Sequence, residues 1–253
     1  MATLHSQISA VLEKRRPASL DALTLPRGLV ALMLAPHPDD FDTIGVSMRW
    51  LQELGADILV VVARGGSGVD DMYCTPPTLE AKAALREREQ RTSCQFFGLP
   101  SSNLLFIRTV NGADGQMLDA TQNSKLVNQY LLSIEPDLVF IPHGNDHNTA
   151  HQIMAAMVRA GIGLCIKRPV LFLNRDPKTR AMRSDVYTPF EENAAQWKRQ
   201  LLRFHDSQQQ RNIREHGTGL DDRILGMNAQ TARELALAAP YAEVFELELQ
   251  AGK

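Results

Sequence analysis

The fold of this chain is decided at residues 29–40, LVALMLAPHPDD, where an apolar run passes directly into a polar loop. Residues 29–34 carry no charge, which predicts a strand buried on both faces of a sheet. Apolar residues then recur at helical spacing as far as Leu54, and Gly55 ends that helix. Because ligands of parallel sheets bind at the carboxyl ends of strands, we expect a functional site in the loop that follows this strand.

The same alternation of apolar runs and helical patterns continues along the chain. It predicts βαβ units and an α/β fold, a Rossmann-like, mostly parallel sheet with flanking helices. We expect one domain over residues 1–253, since no repeat or linker is visible. The predicted strands lie at residues 29–34, 58–63, 104–107, 138–141 and 170–173, and the predicted helices at residues 1–17, 44–54, 80–97, 124–134 and 150–160.

The pattern loosens after Asn174. Residues 193–210 predict a charged helix, and the polar, glycine-containing stretch at residues 208–222 predicts a mobile loop. Near the C-terminus, residues 245–249 alternate between apolar and charged, which is typical of an edge strand with one face in water.

Composition argues against several classes of protein. The net charge is -2 with both signs interspersed, which disfavours a general affinity for nucleic acid or acidic lipid. No apolar stretch is long enough to span a membrane, and the first residues lack the order of a signal peptide. The three cysteines, Cys74, Cys94 and Cys165, are far apart and odd in number, which favours free thiols and a cytoplasmic location. The oligomeric state stays open, a homo-oligomer included.

His37, Asp39 and Asp40 lie in the loop that follows the first predicted strand. The spacing of His37 and Asp40 allows a turn to aim an imidazole and a carboxylate at one ion. Asp39, between them, does not easily share that geometry and is left to hold a water. A structural interpretation is equally open, since an Asp-Asp pair at a helix start also serves as an N-cap with a first-turn charge.

A second polar cluster, PHGNDHNTAH, occupies residues 142–151, after the predicted strand at residues 138–141. It contains three of the seven histidines of the chain within nine residues, which chance rarely produces. Since both clusters follow strands, we expect them to meet at the same edge of the sheet. Two histidines and one carboxylate, with open positions for water, form a common catalytic zinc site.

The two motifs together resemble those of the PIG-L/LmbE-like deacetylase family, which includes N-acetylglucosaminyl deacetylases. The chain departs from the usual HPDDE motif of that family, because Phe41 replaces the glutamate and Asp42 follows it. The resemblance covers most of the chain through weaker motifs, R-x-x-E at residues 86–89, H-D-S-Q at residues 205–208 and Y-A-E-V-F at residues 241–245.

The resemblance implies a zinc-dependent hydrolase that removes an acetyl group from an N-acetylated sugar within a small glycoconjugate. It implies one Zn²⁺ per chain, or another divalent ion, on His37, Asp40 and His151, with Asp39 as the general base. His147 is the rival for the third ligand, and either His147 or Asn148 is the candidate donor to the oxyanion. The residues expected to contact substrate are Arg64, Arg86 and Asp146. For Arg86 a pairing with Glu89, three residues later on the same helix, is equally open.

Two other functions compete with this one. Phe41 motivates a catalytically silent sugar-binding protein on the same scaffold, although a pure binder has no need of Asp39. A metal hydrolase of a non-sugar amide or of an ester has the same ligand set. The glycines that follow Arg64 allow a sugar or phosphate to come close to the backbone, but they are also typical of a flexible loop with no role in binding.

Overall fold

The computed structural model describes residues 3–249, and in that range one eight-stranded sheet is flanked by helices. The strands are β1 (Ala18–Ser19), β2 (Val30–Ala35), β3 (Asp57–Ala63), β4 (Leu104–Ile107), β5 (Leu138–Pro142), β6 (Val170–Asn174), β7 (Val186–Phe190) and β8 (Tyr241–Glu248). The helices are α1 (Leu4–Lys14), α2 (Gly45–Leu54), α3 (Leu79–Phe97), α4 (Thr121–Ile134), α5 (Thr149–Ile162), α6 (Glu192–Arg203), α7 (Asp206–His216) and α8 (Leu220–Glu234).

The strand order is β1-β7-β8-β6-β5-β2-β3-β4. Strand β8 runs antiparallel to β6 and β7, and the remaining pairings are parallel. The predicted α/β fold, with a mostly parallel sheet and flanking helices, is therefore confirmed. The chain runs from β2 to β3 and β4 on one side, and β5 then pairs with the other side of β2. The order reverses between β2 and β5, and such a switch point opens a crevice at the carboxyl ends of the two strands.

Both faces of the sheet are covered, which explains why the parallel strands are uniformly apolar. Successive residues of β2 alternate between the two cores, with Met33 on one side and Leu34 on the other. Helices α1, α2, α3 and α6 contribute to the first core, and α4 and α5 to the second. This two-sided burial is the physical basis of the apolar runs from which the strands were predicted.

The expectation of an edge strand at residues 245–249 is wrong. Strand β8 is inserted between β6 and β7, and both of its long edges are hydrogen-bonded. Its alternating acids pair with arginines: Glu246 lies 3.0 Å from Arg183, and the partly exposed Glu248 lies 2.6 Å from Arg159. The alternation of apolar and charged residues therefore reflects ion pairs within the molecule.

The expectations for residues 193–222 are also partly wrong. The predicted helix is two helices, since α6 ends at Arg203 and α7 begins at Asp206, and the predicted mobile loop is occupied by α7 and the start of α8. Polar side chains hold these helices together: Arg203 donates to Asp221 at 2.7 Å, and Gln209 donates to the same carboxylate at 2.6 Å. The polar composition thus serves contacts between helices.

Between residues 3 and 249, no helix is both long enough and apolar enough to cross a membrane. Cys74, Cys94 and Cys165 are all free in the structure, and the latter two are buried. Burial raises the pKa of the Cys165 thiol to about 11, which keeps it protonated at neutral pH.

Candidate metal centre

The loops after β2 and β5 converge at the switch point of the sheet and bring His37, Asp40 and His151 together. The two oxygens of Asp40 face different histidines: Oδ2 lies 3.4 Å from Nδ1 of His37, and Oδ1 lies 3.4 Å from Nε2 of His151. The ring centroids of the two histidines are 5.3 Å apart. One nitrogen or oxygen from each of the three side chains falls within 4.8 Å of the others.

Local hydrogen bonds fix the first loop in this shape. Asp40 Oδ2 accepts the backbone N–H of His37 at 2.7 Å, and Thr43 Oγ1 donates to the carbonyl of Asp40 at 2.7 Å. Helix α2 begins only at Gly45, and its N-cap residue makes no side-chain capping bond. The interpretation of the Asp-Asp pair as a cap of this helix is therefore wrong, because Asp40 faces the histidines.

The three side chains fit a divalent metal ion. Two imidazole nitrogens and a carboxylate oxygen are a donor set that suits Zn²⁺, and three protein ligands leave a position open. Burial opposes the ionised form of Asp40, but His151 and His37 outweigh it and hold its pKa well below the usual range. Burial likewise opposes the charge on His151, yet Asp40 and Asp146 raise its pKa to about 10. Asp40 and Asp146 thus supply negative charge that favours a positive charge at this site, whether a proton or a metal ion carries it.

Asp39 lies between two candidate ligands but is turned elsewhere. Its backbone is in the left-handed region at φ 103°, which is uncommon for a residue other than glycine. Its N–H donates to Oε1 of Gln90 at 2.9 Å, and its Oδ1 accepts from Arg86 at 3.1 Å. Burial raises the pKa of Asp39, and Arg86 only partly offsets this effect. The result is a carboxylate that is more basic than usual at the edge of the metal centre.

Arg86 was expected to contact substrate, but the structure gives its guanidinium other partners. It is 2 % exposed, and besides Asp39 it donates to the carbonyls of Pro38 and Ser67. Although Arg86 borders the cavity, both of its terminal nitrogens donate to the protein itself. The geometry favours a positioning role that holds the loop of Asp39.

Arg64, the second arginine expected to contact substrate, is likewise engaged by other side chains. The guanidinium of Arg64 is clamped by Glu80, with N–O distances of 2.6 and 2.7 Å, and by Glu87. It lies outside the main cavity. The geometry therefore gives no support to a substrate contact of Arg64. Both acidic partners lie on α3, an element that the local sequence pattern did not connect with Arg64.

Asp146 was also expected to contact substrate, but it is 1 % exposed and lies behind His151. Its Oδ2 is 3.6 Å from Nδ1 of His151 and accepts from Thr179 at 3.1 Å. Its Oδ1 accepts the backbone N–H of Asn148 at 2.6 Å. A carboxylate on the second ring nitrogen orients a metal-binding histidine, so the geometry indicates a positioning residue rather than a substrate contact.

His147 and Asn148 both border the cavity. His147 is exposed, with its Nδ1 3.3 Å from Arg180, and it is absent from the group of converging ligand atoms. Asn148 is the N-cap of α5, since its side-chain oxygen accepts the N–H of Ala150 at 3.0 Å. The amide nitrogen of Asn148 therefore stays available as a donor.

The sequence-based prediction missed Asp176, which follows β6. One of its carboxylate oxygens lies within 4.8 Å of ligand atoms of His151 and Asp146, and burial raises its pKa. Its position was detectable in principle, because it comes two residues after the carboxyl end of the strand next to β5. Asp176 borders a cavity of about 510 Å³, as do His37, Asp39, Asp40 and His151.

Phe41 and Asp42, where the chain departs from the HPDDE motif, both point away from the cavity. Phe41 is fully buried and packs edge-to-face on Phe97, with centroids 4.9 Å apart. Asp42 pairs with the buried His205 and accepts from Ser93 at 2.9 Å. These residues form the packing beneath the loop, with Asp42 and His205 both fully buried.

The family model described as PIG-L, GlcNAc-PI de-N-acetylase, matches residues 32–162, just over half of the chain. The chain belongs to the PIG-L family. The matched range contains the three candidate ligands and Asp39, whereas Asp176 and helices α6 to α8 lie outside it. No curated protein sequence matches the chain significantly.

Solved structures share the fold at low sequence identity. N,N'-diacetylchitobiose deacetylase from Pyrococcus horikoshii superimposes with a TM-score of 0.73 and 16 % identity, over 96 % of this chain and 90 % of that one. The zinc-inhibited form of teicoplanin deacetylase Orf2 has a TM-score of 0.65 and 14 % identity, over 88 % of this chain and 100 % of that one. GalB, the 4-carboxy-2-hydroxymuconate hydratase from Pseudomonas putida KT2440, has a TM-score of 0.66 and 15 % identity, over 89 % of this chain and 98 % of that one. At such identities the likeness establishes the fold alone.

Proposed function

We propose that this PIG-L family member is a zinc-dependent deacetylase that hydrolyses the acetamide of an N-acetylated sugar, of the N-acetylglucosaminide type. The observation that carries the proposal is the convergence of His37, Asp40 and His151 at one cavity, beside a carboxylate, Asp39, that is directed to Arg86. The family description, GlcNAc-PI de-N-acetylase, supports an amide bond as the target.

A divalent ion on these three residues supplies Lewis-acid chemistry, which polarises an amide carbonyl and makes water more acidic. Asp39 acts as the general base, and its raised pKa makes it better suited to accept a proton than an exposed aspartate. As the water oxygen bonds to the acetyl carbon, Asp39 takes the proton. The C–N bond then breaks while Asp39 returns the proton to the amine nitrogen, and the products are a free amine and acetic acid, which releases its proton to solvent as acetate.

Asn148 is the donor that we assign to the developing oxyanion. Its side-chain oxygen is engaged as a helix cap, so its orientation is fixed while its amide nitrogen remains a donor at the cavity. His147 is the alternative donor at the same wall. The loss of one such donor typically lowers turnover by roughly 100- to 1,000-fold.

The packing of Phe41 bears on the rival proposal of a silent sugar-binding protein. Phe41 is buried against Phe97 beneath the loop and does not border the cavity. The departure from the family motif at this position therefore leaves the candidate ligands and Asp39 in place. Asp39 is retained, and a protein that only binds sugar has no use for a base. A screen of acetate release from sugar amides, non-sugar amides and esters separates the deacetylase from other metal hydrolases.

The variant Asp39→Asn tests the proposed function. It keeps the size of the side chain but removes the base, so metal content and fold are expected to stay as in the wild type. Turnover of an N-acetylglucosaminide is expected to fall by roughly 100-fold or more, with a much smaller change in KM. The matched control is Asp114→Asn, an exposed carboxylate that also borders the cavity, which is expected to keep turnover.

Two outcomes contradict the proposal. Unchanged turnover in Asp39→Asn removes Asp39 from the mechanism. A wild-type, zinc-loaded protein that binds N-acetylated sugars but releases no acetate supports the silent-binder alternative instead.

A further inference from the structure

The outer wall of the cavity comes from parts of the chain beyond the family match. Residues 32–162 contribute the candidate ligands, whereas Lys178 in the loop after β6, Arg211 on α7 and Arg223 on α8 border the cavity from the other side. A cavity of about 200 Å³ adjoins the main one, and Arg223 borders both. Arg223 therefore stands where a bound sugar derivative can extend away from the metal centre.

The carboxylates that border the main cavity are already engaged. Asp176 accepts the backbone N–H of Lys178 at 2.9 Å and is grouped with His151 and Asp146. The remaining contacts are Asp40 with His37 and His151 at 3.4 Å each, Asp39 with Arg86 at 3.1 Å, Glu215 with Arg211 at 3.0 Å, and Asp114 with the backbone N–H of Gln116 at 3.0 Å.

Arg223 and Lys178 differ from these groups, because neither is paired with a carboxylate among residues 3–249. Within residues 3–249 the half-buried Arg223 donates to the neutral amide oxygen of Asn212, and no carboxylate forms an ion pair with it. Lys178 is exposed at the mouth of the cavity and likewise forms no ion pair in that range. A half-buried guanidinium beside an open cavity is well placed to bind an anion, since its planar fork matches both carboxylate and phosphate oxygens.

We propose that Arg223, assisted by Lys178, binds an anionic group, a carboxylate or a phosphate, on the part of the substrate remote from the acetamide. This inference rests on the proposed function and narrows its substrate class to acidic N-acetylated glycoconjugates. The family-matched part of the chain then performs the hydrolysis, and α8 with the loop after β6 selects the substrate.

The test uses the zinc-loaded full chain and three substrates that differ only in the aglycone. These are the neutral methyl N-acetylglucosaminide, its carboxymethyl counterpart and N-acetylglucosamine 1-phosphate, so the two acidic substrates also distinguish carboxylate from phosphate. For the wild type, kcat/KM for at least one acidic substrate is expected to exceed that for the neutral one by about tenfold or more, because a charged hydrogen bond of this kind is worth about that much. Added salt is expected to reduce this preference.

Arg223→Gln is expected to remove the preference and to leave hydrolysis of the neutral substrate within about twofold. Lys178→Gln, at an exposed position that does not endanger folding, is expected to reduce it partly. The matched control is Arg233→Gln, an exposed arginine ten residues later on the same helix and outside both cavities. Equal kcat/KM for all three substrates in the wild type, or an equal loss for all three in Arg223→Gln, overturns the proposal.

A binding measurement separates this inference from the proposed function. If the wild type releases no acetate from any substrate, calorimetry of N-acetylglucosamine 1-phosphate and of the methyl glycoside still reports on the anion site. Tighter binding of the phosphate that disappears in Arg223→Gln supports the site. Binding that persists unchanged in Arg223→Gln places the phosphate elsewhere, such as on the metal, and contradicts it.

Discussion

At the scale of single residues, burial and orientation separate the two histidines that compete for the third ligand position. His151 is 2 % exposed, and its two nitrogens face Asp40 and Asp146. His147 is exposed, and its Nδ1 faces Arg180. The proposed metal therefore belongs to His151, and the contrast can be tested residue by residue.

We expect His37→Ala and His151→Ala to lose the metal, because each removes one of only three protein ligands. His147→Ala is expected to keep about one divalent ion per chain, as the wild type does. Elemental analysis after gel filtration measures the content, and circular dichroism checks the fold of each variant. Full metal occupancy in His151→Ala together with loss in His147→Ala would reverse the assignment.

At the scale of elements, helix α3 supports the loop that carries the candidate base. Gln90 on α3 is fully buried, accepts the backbone N–H of Asp39 at 2.9 Å and donates to Asp42 at 3.2 Å. The φ of 103° at Asp39 is a conformation that costs about 1–3 kcal/mol and persists only where the surroundings enforce it. Gln90 is one of the contacts that enforce it.

We expect Gln90→Met to lower kcat by roughly 10- to 100-fold with a smaller change in KM, since a small displacement of a catalytic group has effects of that size. Metal content is expected to stay, because Gln90 contacts none of the proposed ligands. The matched control is Ser93→Ala, which removes another donor to Asp42 but no contact with Asp39. An equal loss of kcat in the control would mean that packing beneath the loop, rather than the position of Asp39, is responsible.

At the scale of the whole molecule, a buried ion pair joins the C-terminal elements to the loop of the metal centre. Lys198 on α6 and Glu243 on β8 are 0 % and 1 % exposed, and their charged atoms are 2.6 Å apart. Lys198 also donates to the carbonyl of Thr43 at 2.6 Å. Burial lowers the pKa of Lys198 although Glu243 opposes that shift, so the carboxylate is needed to keep the ammonium charged.

We expect Glu243→Gln to reduce the free energy of unfolding by about 3–5 kcal/mol, because it leaves a buried charge without its partner. Lys198→Met is expected to have a similar effect, and the double variant to lose less than the sum of the two. Urea unfolding measures all three. The surface pair of Arg159 and Glu248 provides the control, since Glu248→Gln is expected to change stability by less than about 1 kcal/mol. Additive losses in the double variant would show that the two side chains act independently.

The buried thiols report on the integrity of the two cores, since Cys94 lies in one and Cys165 in the other. Cys94 and Cys165 are buried and Cys74 is half-buried, and reactivity requires an accessible thiolate. We expect a thiol reagent to modify Cys74 readily in the native protein and to modify the other two only after opening of the core. Denatured, unreduced protein is expected to show all three thiols, and a count of one would reveal a disulfide.

Sequence reasoning succeeded where local pattern carries the information. A strand buried on both faces is an uninterrupted apolar run, so β2, β3, β4, β5 and β6 were located to within one or two residues. The histidine and aspartate clusters follow two of these strands directly, and parallel pairing of β2 with β5 makes their convergence a consequence of the fold. The prediction that His37, Asp40 and His151 approach one another rests on this local information.

Only the tertiary structure decided the partners of polar and charged side chains. Alternation at residues 245–249 shows that one face of a strand is polar, but the reason is the pairing of Glu246 with Arg183, 63 residues earlier in the chain. Arg64 and Asp146 were expected at the substrate for the same reason, since a sequence shows that a side chain is charged and not which remote group faces it. Which remote group a charged side chain contacts depends on distances across the tertiary fold. The apolar runs and the helical spacing of apolar residues, by contrast, are local features of the chain that the sequence shows directly.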